Sequence, residues 1–211
     1  MHNAVYLHGR GQLNPEKCNV YKKFSNILKN KKILLTPIAY TQDLDIDNKY
    51  ISDVFNIVSN KIIELSQKKK IILIGYSFGG LLASWFAEKY PNFIYKLILL
   101  APAIDNYERN YQNIKNPKYT KYINDLRTLN SRPILSKDVC INTLIIHGTN
   151  DNDLYGSNLS RIISWVKKLK NIKLTYYPEN VDHSLMPWLY RDSNNISKKM
   201  KSIDQLLDIL L

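Results

Sequence analysis

The chain has 211 residues and a mass of 24.6 kDa, enough for one substantial hydrophobic core and too little for two separate enzyme domains. Hydrophobic residues make up 45% and charged residues 23%, with only 7 Gly and 8 Pro, which excludes disordered, collagen-like and low-complexity classes. The formal charge of +12 is carried by 24 Lys and only 6 Arg, whereas base-reading surfaces favour the bidentate Arg fork; no nucleic-acid partner is expected.

Abundant Lys, Asn, Tyr and Ile share AT-rich codons, so base composition accounts for much of the basic charge without a selected partner. The first seven residues, Met1 to Leu7, lack a basic segment followed by an apolar stretch, so no secretory signal is expected and a cytoplasmic location is.

Taken in chain order, short aliphatic or β-branched runs predict strands at Ala4–Leu7, Ile33–Thr36, Ile71–Ile74, Leu97–Leu100, Leu144–Ile146 and Lys173–Tyr176. Helical spacing appears between them: Tyr21, Phe24 and Leu28, then Ile51, Val54, Phe55, Val58, Ile62 and Leu65 on one face. Leu159, Ile162, Ile163, Val166 and Leu169 repeat it, and Ile203, Leu206, Leu207 and Leu210 close the chain. Strands alternating with helices need crossover connections, so the pattern predicts an α/β fold with a parallel sheet covered on both faces.

Ile71 to Ala87 is a run of seventeen residues without a charge, but Gly75, Ser77, Gly79 and Gly80 interrupt it. A buried strand turning into a buried helix explains the run better than a membrane span. Residues 105–140 join two strands by about 35 residues rich in Asn, Tyr and Lys, longer than an ordinary connection and expected to form a lid-like insertion within a single domain spanning 1–211. Seven cations and four anions between 105 and 138 give +3, little above the roughly +2 of an even spread of the total charge, so a solvated segment is expected there.

Cys18 and Cys140 lie 122 positions apart with no metal-ligand spacing; both are expected to be reduced, buried thiols, and no metal or organic cofactor is implied.

The chemistry concentrates at Gly75-Tyr76-Ser77-Phe78-Gly79, a Gly-x-Ser-x-Gly sequence directly after an aliphatic strand and before a helix of small and apolar residues. A serine at the apex of such a turn adopts a strained backbone, and small neighbours are needed for adjacent elements to pack closely. A serine hydroxyl attacks a carbonyl only when a base removes its proton, commonly an imidazole held by a carboxylate. Of four histidines, only His183 lies beyond the last predicted strand, in Asn180-Val181-Asp182-His183-Ser184-Leu185. It is the candidate base.

For the acid, the strand ending Leu144-Ile145-Ile146 runs into His147-Gly148-Thr149-Asn150-Asp151-Asn152-Asp153, which puts Asp151 first, with Asp153 or Asp105 as alternatives; His147 reads as structural. The tetrahedral oxyanion of acyl transfer needs preorganised donors. The backbone N–H of Phe78, at the helix start, is one candidate. The second is the N–H of Arg10 in the glycine-flanked loop Leu7-His8-Gly9-Arg10-Gly11-Gln12. The Arg10 side chain reads as solvated, with contact to an anionic substrate group as the alternative. Gly9, Tyr76, Met186 and Trp188 are candidates to line the substrate pocket.

With His-Gly after the first strand, Gly75-Tyr76-Ser77-Phe78-Gly79, Gly148-x-x-Asp151 and Asp182-His183 in that order, residues 4 to 211 resemble the α/β-hydrolase superfamily. The chain is similar to its compact serine esterases: its first expected strand is the one that leads into the oxyanion loop, and the two antiparallel strands that commonly precede it in the family are not expected here. The resemblance implies strand order 2-1-3-4-5-6 and a ligand crevice at the switch point between the first and third strands.

It further implies a serine hydrolase acting on a small-molecule carboxylic ester or thioester. Alternatives are an esterase acting on an acyl group held by an acyl carrier protein or CoA, as in biotin-precursor synthesis, a serine peptidase, or a non-catalytic binding module that keeps the fold.

Overall fold

The computed structural model describes residues 3–9, 12, 14–40, 51–104, 135, 140–151, 159–169, 172–190 and 201–211. Six strands form one parallel sheet: β1 (Ala4–Leu7), β2 (Leu35–Ile38), β3 (Ile71–Tyr76), β4 (Ile94–Leu100), β5 (Asn142–Ile146) and β6 (Ile172–Tyr176). Their order is β2-β1-β3-β4-β5-β6, every neighbouring pair parallel. The helices are α1 (Asn19–Asn30), α2 (Ile51–Ser66), α3 (Phe78–Lys89), α4 (Leu159–Val166), the single turn α5 (Met186–Leu189) and α6 (Ile203–Leu210).

The sheet is buried on both sides, and strand alternation divides the core in two. Val5, Leu7, Ile71, Leu73, Leu97, Leu99 and Ile145 face α2 and α3, meeting Phe55, Val58, Ile62, Leu82 and Phe86. Ala4, Tyr6, Ile72, Ile74, Ile98, Leu100, Leu144 and Ile146 face the other way, onto Phe24 and Leu28 of α1, Trp188 of α5 and Leu206 and Leu207 of α6. Every residue of β1 and β3 is buried, so the central strands read as continuous apolar runs because both faces are covered. Ser202 caps α6 by accepting from the Gln205 N–H while Gln205 returns a bond to the Ser202 N–H.

All six expected strands overlap the observed ones with ends moved by at most three residues; β2 differs in that both its ends shift by two residues in the same direction. The run expected at Ile33–Thr36 is displaced because α1 closes on it: Lys32 takes a left-handed φ of 58° and the Ile33 N–H bonds to the Leu28 carbonyl at 2.9 Å. The strand starts only at Leu35, and Pro37 is accommodated inside it because β2 is an edge strand.

The thiols also differ from expectation. Cys18 is half-buried with its Sγ 3.5 Å from the Tyr6 hydroxyl, and Cys140 is exposed; each sits where chain leaves regular structure, beside α1 and before β5. Of the expected lid, residues 105–140, all but Leu135 and Cys140 lie outside the described residues. Among the described residues no helix is long and apolar enough to cross a membrane.

Candidate active site

Strand β3 ends at Tyr76 and α3 begins at Phe78, leaving Ser77 alone in the turn with φ 53° and ψ −118°, a sparsely populated conformation for a residue with a Cβ. The surroundings over-determine it. The Ser77 N–H bonds to the Leu100 carbonyl at 2.9 Å, and the Ser77 carbonyl accepts from Gly80 at 2.9 Å and Ala103 at 3.1 Å. The flanking glycines are there for space: a Cβ at Gly79 would lie 2.2 Å from the Leu7 carbonyl oxygen, and one at Gly75 would lie 2.4 Å from the Gly79 carbonyl oxygen.

The Ser77 Oγ lies 2.8 Å from Nε2 of His183, and the His183 Nδ1 lies 2.8 Å from Oδ2 of Asp151. An ionised carboxylate only accepts, so the imidazole proton belongs on Nδ1, which leaves Nε2 with the lone pair that receives the Ser77 O–H. Asp151 is almost fully buried, whereas the His183 side chain keeps 17% of its surface exposed. The carboxylate is shielded and the imidazole keeps contact with solvent.

Backbone bonds connect the loops that carry these two groups. After β5 and β6, His147 N–H donates to Tyr176 O at 3.0 Å, Thr149 N–H to Pro178 O at 3.1 Å and Asn150 N–H to Val181 O at 2.9 Å. Asn180 N–H adds a bond to Thr149 Oγ1 at 2.9 Å. Asp182 shapes the turn locally, its Oδ1 accepting from the Ser184 N–H at 3.0 Å.

His147 is fully buried with Nε2 3.4 Å from the same Asp151 Oδ2, so two imidazoles flank one carboxylate oxygen. Sequence order gave no sign of this; the spacing of four residues across a turn becomes a contact only once the loop folds back.

Phe78 stands at the first position of α3, in the turn where amides make no bond back along the helix. Arg10, the other expected oxyanion donor, and Asp153 and Asp105, the alternative acids, lie outside the described residues. Gly9 adjoins Ser77, since a Cβ there would lie 3.3 Å from the Ser77 Cβ and 3.2 Å from the Tyr76 ring.

Tyr76 is turned toward the loop of His183, its hydroxyl donating to the His183 main-chain carbonyl at 3.3 Å. Met186 opens α5, three residues after the imidazole, and is half-buried. Trp188 is a core side chain, 2% exposed, with its ring 5.6 Å from Tyr176 and its Nε1 donating to Lys201 O at 3.1 Å. Among the described residues no group of three or more His, Cys, Asp or Glu is placed to hold a metal ion.

One aromatic pair near the site was not singled out by motif. Tyr40, two residues beyond β2, stacks on His8, one residue beyond β1, with ring centroids 3.9 Å apart and planes inclined by 8°. The pairing Leu7 with Ile38 brings them together, so a correct β2 register was the signal needed to find the contact.

Among known families, the one described as alpha/beta hydrolase fold matches residues 29–112. No curated protein sequence matches the chain. Among solved structures, Est1E from Butyrivibrio proteoclasticus, determined with ferulic acid bound, superposes with a TM-score of 0.71 at 16% identity, covering 87% of this chain and 82% of that one. Alpha/beta hydrolase domain-containing protein 10 from mouse gives 0.69 at 15% identity over 87% and 82% of the two chains. The monoacylglycerol lipase of Paleococcus ferrophilus gives 0.63 at 15% identity over 86% and 85%. The six-stranded parallel sheet in order 2-1-3-4-5-6, the family match and these superpositions agree: the chain is a protein of the alpha/beta hydrolase fold.

Proposed function

We propose that the chain is a serine hydrolase that cleaves small-molecule carboxylic esters or thioesters through an acyl-enzyme on Ser77. The observation that carries this reading is the continuous hydrogen-bonded chain Ser77 Oγ, His183 Nε2, His183 Nδ1, Asp151 Oδ2, with both links at 2.8 Å. An ester as the scissile group is supported by the names of structural neighbours, which include a monoacylglycerol lipase.

In this mechanism the Ser77 Oγ attacks the substrate carbonyl carbon while its proton passes to Nε2 of His183. Asp151 keeps the imidazole in the Nδ1-protonated form and stabilises the imidazolium that develops. Negative charge collects on the former carbonyl oxygen, where the main-chain N–H of Phe78 and that of Arg10 act as donors; each such donor contributes about 3 kcal/mol to lowering the barrier. As the tetrahedral intermediate collapses, the carbon–leaving-group bond breaks and His183 returns the proton to the departing alkoxide or thiolate. Water then repeats the sequence on the acyl-serine, giving the carboxylic acid and regenerating Ser77. No step needs a metal or organic cofactor.

The test is hydrolysis of p-nitrophenyl esters and acyl thioesters graded by chain length, with fluorophosphonate labelling in parallel. The wild-type chain is expected to turn over at least one ester and to be labelled, and Ser77→Ala to lose both while keeping its far-ultraviolet circular dichroism. Undiminished labelling or turnover in Ser77→Ala would overturn the assignment.

A further inference from the structure

Tyr40 joins two segments that the proposed mechanism needs in fixed relation. Its hydroxyl donates to the main-chain carbonyl of His8, its ring lies flat on the His8 imidazole, and its centroid lies 6.3 Å from that of the Phe78 ring with planes inclined by 58°. One side chain, 3% exposed, thus touches both the loop after β1 and the first residue of α3.

We propose that Tyr40 is a positioning residue for the oxyanion site, holding the main chain at His8 and Gly9 in the orientation that stabilises the tetrahedral intermediate on Ser77. This rests on the serine hydrolase reading.

The argument is one of peptide geometry. In a planar trans peptide the N–H points opposite to the C=O, so a clamp on the carbonyl aims the amide of the same unit. The His8 carbonyl, whose unit contains the Gly9 N–H, is held by Tyr40. The Gly9 carbonyl, which shares its unit with the proposed Arg10 donor, lies 2.7 Å from the His8 Nδ1. A carbonyl only accepts, so His8 carries its proton on Nδ1.

Two successive carbonyls are therefore fixed, in a loop whose Gly9 adjoins Ser77. Burial pushes the Tyr40 phenol well above its ordinary value and the His8 imidazole below its own. The phenol remains a donor and the ring remains neutral at neutral pH.

A residue of this kind acts on the transition state and not on ground-state binding. Tyr40→Phe keeps the ring and removes only the hydroxyl, so its far-ultraviolet circular dichroism and the stacking on His8 should be retained. Expected are a kcat about tenfold lower, a KM within twofold of wild type, and phenylboronic acid binding weakened by the same factor as kcat, since the boronate forms a tetrahedral adduct on the serine. Tyr40→Leu, which also loses the stack, should fall further in both.

A folded Tyr40→Phe with wild-type kcat and boronate affinity, beside an inactive Ser77→Ala, would overturn the role of Tyr40 alone. So would an effect confined to KM or to the melting temperature. A wild-type chain without Ser77-dependent turnover would overturn the underlying reading, and this one with it.

Discussion

The hydroxyl of Tyr76, the residue immediately before the elbow serine, donates to the main-chain carbonyl of His183 at 3.3 Å, and its ring centroid lies 5.8 Å from the imidazole. The strand that leads into Ser77 is thereby tied to the loop that carries His183, across 107 positions of sequence. Tyr76→Phe removes this tie and leaves the ring packing. A net hydrogen bond contributes about 1 kcal/mol, so kcat for a p-nitrophenyl ester is expected to fall about fivefold, with the melting temperature lowered by a few degrees. A variant at wild-type kcat would show that the imidazole is held without this bond.

Asp151 is shielded from solvent and bonds to Nδ1 of His183. Asp151→Asn is close in size but favours the imidazole tautomer that cannot accept from Ser77. Turnover is expected to drop roughly 10⁴-fold, with fluorophosphonate labelling slowed in parallel and the fold retained. An effect below tenfold would move the acid to another carboxylate.

At Gly79 even one methyl group meets backbone, the carbonyl oxygen of Leu7 at 2.2 Å. Leu7 is fixed in the sheet between β2 and β3, so it cannot retreat without disturbing both pairings. Gly79→Ala should cost at least about 3 kcal/mol, the upper end of ordinary overpacking. Urea denaturation measures this directly; a loss under 1 kcal/mol would mean that the elbow relaxes where the close approach says it cannot.

The His8 imidazole is held below its usual value of 6.5, chiefly by burial. In the pH interval between its folded and unfolded values the unfolded chain binds more protons, so stability rises with pH there. The stabilisation is complete above about pH 6.5 and is lost as pH falls below it. Melting temperatures from pH 8 to pH 5 should fall more steeply for wild type than for His8→Gln, which has no proton to gain at this position. Parallel curves would remove His8 as a source of acid sensitivity.

The parts legible in the sequence were those where local pattern and tertiary demand coincide. Ile71–Ile74 reads as a strand because aliphatic branching and full burial ask for the same residues, and the glycines around Ser77 read as an elbow because no larger side chain fits. The order of Ser77, Asp151 and His183 along the chain was visible; the 2.8 Å contacts were a matter of how two loops fold back.

The start of β2 was read two residues early because Ile33 and Leu34 look like strand residues, yet the first is spent closing α1 and the second is 69% exposed. Trp188 was a candidate to line the substrate pocket, but a single left-handed residue, Leu185 at φ 56°, precedes the turn that places the indole in the core. Tyr40 carried no motif at all: its contact with His8 depends on the register of an edge strand.

The backbone bonds between the loops after β5 and β6 make Asp151 and His183 one prefabricated unit, which meets the β3–α3 turn at the Ser77 Oγ and at the Tyr76 hydroxyl. Such a unit owes its geometry to bonds that do not pass through residue 77. A thiol introduced as Ser77→Cys would be presented to an imidazole whose orientation is set by Asp151 and the loop bonds rather than by residue 77 itself.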